Sequence, residues 1–401
     1  MIMDSAPSLT VLDPGLFFEG GHHASLARVL VAQAVRAGLD CGVWGLKHIH
    51  NPPEGFNIHR RFTHSAYAPV DGADPGAHLR RYNDAMLADL RAGDGEIGAG
   101  VVFFPTITSR IALGAAEWIA GSCSHHDRRY ALMLMFPPGF GGVLDEAESE
   151  IYREAMAILR TVPRVRLRIF AETPHIARVF ESLGAPCVST LPWPVTVQPG
   201  DTGVNVNHNP VIGHIGYSKI ESGFGLLPDV VRSISGFHPL AKFVVQSNSW
   251  KDQAVDRCTE RLETMSSVEL LRGPLPPARY ASVLNSIDIV LLPYNPDAYR
   301  ERGSGVFVEA ASCGRVLVVP GQTWLAEQAA RSGLGAVSFA SFTVESVVEA
   351  VESAIARFGE LRETAQRSAA AWNAERDPAK FLNTVMGAFA GSCPAIGGGV
   401  G

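Results

Sequence analysis

One stretch of this 401-residue chain, Ile287 to Pro320, restricts its possible folds more than any other. Ile287–Leu292 and Val316–Val319 are short, nearly unbroken apolar runs, the pattern of strands covered on both faces. A short helix is expected between them, with Ser304 as N-cap, Gly303 and Gly305 allowing close approach to the backbone, and Gly314 where a left-handed C-cap ends it. The start of that helix suits a phosphate-like anion. Glu301 falls in the loop before it and Glu309 about a turn and a half inside it, so both carboxylates can border whatever the N–H groups hold. A diphosphate flanked by sugars fits that layout.

The rest of the chain repeats the pattern. Ser8–Leu12 reads as a strand, and Gly20-Gly21-His22-His23 opens a helix carrying Leu26, Val29, Leu30 and Ala34 on one face. Two glycines before a helix suit either a phosphate or sugar, or ordinary loop punctuation. Further strands are expected at Cys41–Trp44, Val101–Phe104, Tyr130–Phe136 and Val165–Phe170, and helices at Ala77–Arg91, Arg110–Ala120 and Glu146–Leu159; Pro52–Gly76 reads as a connector. Such alternation means a parallel sheet. Arg164, Arg166 and Arg168 recur at period two on the fourth of those strands, which puts them on one face, either as a solvated edge or as a patch for an anionic lipid or acceptor.

Leu191–Pro210 holds four prolines, two glycines and no helical period, the best domain boundary in the chain. The strand, glycine loop and helix then restart with Val211–Ile215, Gly216 to Gly223 and Phe224–Ile234, followed by strands at Phe243–Val245 and Val268–Leu271 and helices at Lys251–Met265 and Pro277–Ser286. After Pro320 come Trp324–Ser332, the strand Ala336–Phe339, a helix Val344–Phe358 and two terminal helices. The expected organisation is an N-terminal domain 1–190, a linker 191–210, a C-terminal domain 211–372, a C-terminal helix 373–390 crossing back to the first domain, and a disordered tail 391–401.

Composition narrows the function classes. Hydrophobic residues at 46%, charged residues at 18% and a net charge of −6 exclude a general polyanion binder, so no nucleic-acid partner is expected. The six cysteines form no C-x-x-C pair, which suggests neither a disulfide framework nor a zinc site and points to a reduced cytoplasm. The histidine pairs His22-His23, His48-x-His50 and His125-His126 match no strong metal-ligand pattern, so no metal is expected. The first residues lack a signal peptide's basic and apolar regions, and no apolar run approaches the ~20 residues that cross a bilayer, so membrane contact is expected only at the periphery. Neither glycine loop has the G-x-G-x-x-G spacing of a dinucleotide site.

Taken together, the Gly20-Gly21 loop, the Gly216–Gly223 loop, Leu284–Tyr294 and above all Glu301–Val319 make the chain resemble the retaining GT-B glycosyltransferases of family four, closely over Val211–Ile355 and faintly before it. The resemblance implies an α/β GT-B fold, two Rossmann-like domains with parallel sheets facing across a cleft. It also implies transfer of a sugar from a nucleotide-diphosphate sugar, with retention and without a metal or cofactor, to a hydroxyl of a glycan or lipid-linked acceptor. Carried over by position, Glu301 contacts the donor sugar's hydroxyls, with Gly303, Ser304, Gly305 and Val306 offering N–H groups to sugar and diphosphate. Glu309 binds the ribose, Leu275 lies in the turn holding the base, Gly216 begins the diphosphate loop, and Gly20, Gly21 and His22 form the loop facing diphosphate and acceptor.

The departures from the family pattern are as informative. Tyr217 and Ser222 stand where the family commonly has Arg and Lys, leaving Lys219, Arg300 and Arg302 as the nearest substitute cations. The histidine that often follows a central N-domain strand is absent, and Gln246–Trp250 replaces the usual Gly-Asp-Gly-Pro. Three alternatives stay open on that account: a catalytically silent nucleotide-sugar-binding protein, a nucleotide-sugar epimerase and a phosphorylase.

Overall fold

The computed structural model describes residues 8–70, 72–122, 127–139, 145–197, 200, 209–249 and 252–387. The pair His125-His126, Trp250, most of the 198–208 linker segment and the 391–401 tail lie outside these residues. The chain divides into two compact units, residues 1–194 with 378–401, and residues 195–377.

The first unit contains β1 (Ser8–Leu12), α1 (Gly21–Arg36), β2 (Asp40–Leu46), β3 (Ile58–Phe62), α2 (Pro75–Gly93), β4 (Gly100–Ile107), α3 (Ala112–Gly121), β5 (Arg128–Leu134), α4 (Asp145–Leu159), β6 (Leu167–Ala171), α5 (Pro174–Ser182) and β7 (Val188–Thr190). Its seven strands run parallel in the order β3-β2-β1-β4-β5-β6-β7. Consecutive residues feed opposite faces, as the pleat requires: Val102 and Phe104 enter the core under α2, α3 and α4, while Val101 and Phe103 enter the core under α1. Burial on both sides explains why these strands read as unbroken apolar runs.

The second unit contains β8 (Val211–His214), α6 (Leu227–Phe237), β9 (Lys242–Ser247), α7 (Gln253–Glu263), β10 (Val268–Arg272), α8 (Pro277–Ser286), β11 (Ile289–Leu291), α9 (Pro296–Tyr299), α10 (Gly305–Ser312), β12 (Val316–Pro320), α11 (Trp324–Arg331), β13 (Ala336–Phe339), α12 (Val344–Ala356) and α13 (Phe358–Glu375). Its six parallel strands are ordered β10-β9-β8-β11-β12-β13. The last helix, α14 (Pro378–Gly387), packs in the first unit, where Phe381, Leu382 and Val385 join the core beneath α1 and Phe381 meets Phe103 edge-on.

Each sheet reverses its winding beside its first strand, β1 against β4 and β8 against β11. Doubly wound sheets bind ligands outside the carboxyl ends of the strands at that point. The loops that leave those ends are 13–20 after β1, 215–226 after β8 and 292–304 after β11.

Several sequence expectations need correction. The Pro52–Gly76 connector contains the edge strand β3, whose His59 and Arg60 are exposed and so conceal it from an apolar search. Arg164 and Arg166 precede β6, so the three arginines do not line one strand face; Arg168 donates to backbone carbonyls of Arg164 and Leu167, and Arg166 to Arg128 O. The helix expected from Phe224 begins at Leu227, because residues 218–226 are used in turns. Cys187 is disulfide-bonded, although no cysteine spacing suggests it; disulfide pairing follows approach in space. Among the described residues no helix is long and apolar enough to cross a membrane.

Candidate functional site

The β11–α10 segment is built as its sequence suggests. Ser304 is extended, and its Oγ accepts from Phe307 N at 3.3 Å, which caps α10. Gly314 follows the helix in the left-handed region at φ 62°. No acidic residue sits in the first turn to offset the positive end of the helix dipole. From the other side α13 fastens the helix, with Trp372 Nε1 donating to Val308 O at 3.0 Å and Asn373 Nδ2 to Ser312 O at 3.1 Å. Gly303, Gly305 and Val306 are half-buried beside the cap.

Glu309 is not a solvated helix residue. It is half-buried; Oε1 accepts from Thr196 Oγ1 at 2.5 Å and Oε2 from Tyr280 Oη at 2.7 Å. Burial pushes its carboxyl above the ordinary range against the pull of those two hydroxyls. Burial and the neighbouring carboxylate together raise the Tyr280 phenol well above its usual value, so it stays a donor. A carboxylate has about four lone-pair sites, and two remain for ligand hydroxyls once Thr196 and Tyr280 are served. Leu275 is half-buried and, like Tyr280, packs against the same core. Glu301 is half-buried in the bend between α9 and α10.

The β8–α6 loop is held by its own polar groups. Gly216 N donates to Gln246 Oε1 at 2.9 Å while Gln246 Nε2 donates to Gly273 O at 2.8 Å, so one side chain ties two glycine turns. That is a structural use for the residue that begins the departure at Gln246. Ser218 Oγ donates to Gln246 O and accepts from Asn248 N. Ser222, where the family pattern has a cation, spends its hydroxyl on Lys219 O and Lys219 N. Gly223 sits at φ 78°, and a Cβ there would stand 1.9 Å from Pro293 O, so only glycine fits. Tyr217 is exposed, with Lys219 Nζ 5.9 Å from its ring centroid.

Of the three substitute cations, Lys219 and Arg302 are brought together at Glu221, each 3.4 Å from its Oε1. Arg300 is exposed and pairs with Asp297 at 2.9 Å on α9, apart from that cluster. Arg302 also lies against the Tyr299 ring, 4.3 Å from its centroid.

In the first unit, Gly20 is the N-cap of α1 and Gly21 follows at φ 77°. His22 is half-buried, its Nε2 3.3 Å from Tyr67 Oη. The buried residue here is His23, with Nδ1 2.8 Å from Asp13 and Nε2 2.9 Å from Tyr67 Oη. Asp13 also accepts from Gly15 N at 2.9 Å, closing the turn after β1. In the first unit Asp13 and Tyr67 reach His23, and in the second Thr196 and Tyr280 reach Glu309, pairings that only the fold makes. Among the described residues no group of three or more His, Cys, Asp or Glu side chains is placed to hold a metal ion.

No family model and no curated protein matches the sequence. Solved structures do. The chain is similar to sucrose-phosphate synthase from Thermosynechococcus elongatus, with a TM-score of 0.71 at 11% identity over 96% of this chain and 98% of that one. It is similar to Anabaena HepE in complex with UDP and glucose, with a TM-score of 0.66 at 13% identity over 96% and 100%. A protein described as a UDP-N-acetylglucosamine 2-epimerase from Listeria monocytogenes follows with a TM-score of 0.58 at 12% identity over 96% and 97%. At such identities the likeness establishes the fold, the two-domain α/β GT-B architecture with a parallel sheet in each domain.

Proposed function

We propose that this chain is a retaining, metal-independent glycosyltransferase that moves a sugar from a nucleotide-diphosphate sugar to a hydroxyl of a glycan, lipid-linked or similar acceptor. The observation that carries the reading is the neighbourhood of α10. A serine-capped helix start with no acidic residue in its first turn follows directly on Arg302, which shares a carboxylate with Lys219. A departing diphosphate needs preorganised positive potential, and a helix N-terminus with nearby cations supplies it. Glu309 offers its remaining lone pairs to the ribose hydroxyls, and Glu301 orients the hydroxyls of the donor sugar. The likeness to sucrose-phosphate synthase and to HepE, which holds UDP and glucose, supports the same reading.

A thermal-shift panel of UDP-, GDP- and ADP-sugars tests it, since a ligand that binds only the native state raises the melting point. One nucleotide sugar is expected to raise it, and a flat panel removes the assignment. With that donor, Glu301→Gln is expected to abolish transfer and Glu309→Ala to weaken nucleotide binding by about tenfold or more, the cost of losing hydrogen bonds to a charged group. The epimerase among the structural neighbours favours a second reading, epimerisation of the nucleotide sugar. Conversion of a free UDP-sugar with no acceptor present would select it.

A further inference from the structure

The loop after β8 and the segment before α10 are tied to each other through one residue. Asn295 N donates to Glu221 O at 2.9 Å, which anchors the backbone of the loop. The Glu221 side chain then bridges Lys219 Nζ and Arg302 Nη1. Arg302 is buried and continues the line inward: its guanidinium lies on Tyr299, Tyr299 stacks on Tyr294 at 4.1 Å, and Tyr294 Oη is 3.2 Å from Ser304 Oγ, the cap of α10. A continuous series of contacts therefore joins the helix cap to a carboxylate that occupies two cations.

The strength of the bridge decides its role. Charge-assisted N–H···O bonds run at about 2.7–2.9 Å, whereas both Glu221 contacts are 3.4 Å and the side chain is 33% exposed. A bridge this loose and this wet is weak. It still draws toward one point two cations that would otherwise repel each other.

We propose that Glu221 is a resident counter-ion of the donor site, occupying Lys219 and Arg302 until a diphosphate displaces it, and so tempering the affinity of that site for diphosphates. The proposal rests on the nucleotide-diphosphate reading above. Removing the carboxylate has two opposed effects, loss of a competitor and loss of a gathering charge. The first dominates. Arg302 is also held by the Tyr299 ring and Ala298 O, and the backbone that carries Lys219 is held by the Asn295, Ser218 and Ser222 hydrogen bonds, so the loop and Arg302 stay in place without it.

The test is calorimetric titration of wild type and Glu221→Gln with inorganic pyrophosphate, with UDP, GDP and ADP, and with the matching nucleosides. Pyrophosphate and the preferred diphosphate are expected to bind roughly five- to tenfold more tightly to the variant, the release of two weak ion pairs, with nucleoside affinity unchanged. A merely structural role would lower all three together, and that result, or an unchanged pyrophosphate affinity in folded variant, overturns the proposal. Failure of pyrophosphate to bind either protein overturns it as well. Tighter pyrophosphate with no nucleotide binding beyond it leaves the counter-ion standing and removes the nucleotide-sugar reading; nucleotide binding with no gain in the variant does the reverse. Should Glu221→Gln not fold, Glu221→Asp, whose shorter reach loosens the bridge, is expected to give a smaller gain of the same sign, and no gain there overturns the proposal.

Discussion

The loop after β1 and the loop after β8 occupy the same topological position in their sheets and are furnished in opposite ways. The first is organised around a buried imidazole: His23 bonds Asp13 through one ring nitrogen and Tyr67 through the other, and Arg28 spends a donor on Glu19 O. The second gathers cations beside a capped helix, with Glu221 as their shared partner. Topology selects where a ligand can meet the backbone. Side chains that reach the loop from elsewhere in the fold furnish it, and here they place a shared carboxylate between two cations at the second loop and a bonded imidazole at the first.

The loops differ in tolerance too, and substitutions can test how far. The second carries Gly223 at φ 78°, and the first runs into Gly21, the opening residue of α1, at φ 77°. A Cβ at Gly223 would collide with Pro293 O at 1.9 Å, whereas at Gly21 the nearest atom is the Phe18 ring at 3.4 Å. Gly223→Ala is expected to cost about 3 kcal/mol or more, adding a backbone collision to the conformational strain. Gly21→Ala is expected to cost about 1–2 kcal/mol, the strain alone. Equal losses in denaturant unfolding would break the contrast.

Acid is expected to act on the junction of the second unit. His214, at the end of β8, is buried with Nδ1 donating to Leu291 O at 3.0 Å across to β11, and burial pushes its pKa down to about 4. The unfolded chain titrates near the ordinary 6.5, so it takes up the proton first. Its contribution is whole above about pH 6.5 and drains away as pH falls toward 4, by about 3 kcal/mol. Replacing His214 with Asn is expected to flatten the stability–pH curve over that window; an unaltered slope would refute this. The smallest effect is at the cap: Ser304→Ala is expected to cost about 1 kcal/mol. If it weakens pyrophosphate binding no more than it destabilises the fold, the cap is structural only.

The physical reason some of this was legible in sequence is periodicity and local chemistry. Strands buried on both faces announced themselves, and β1, α8 and β13 have the bounds their patterns suggest. Ser304 and Gly314 act within their own helix, so they too could be read. The polar edge strand β3 could not, because nothing apolar marks it. Nor could the partners of the site. Thr196 meets Glu309 across 113 residues, Glu221 meets Arg302 across 81, and Tyr280 meets Glu309 across 29. Pairings of that reach are products of the packed sheet, and no local pattern encodes them.

The return of α14 to the first unit has a consequence for the order of assembly. Residues 195–377 are contiguous and can begin folding once β8 to α13 have been made. The first unit leaves the ribosome earlier, but the core beneath α1 lacks Phe381, Leu382 and Val385 until α14 emerges. The unit that is synthesised first is thus completed last, and until α14 emerges part of its apolar face under α1 stays uncovered.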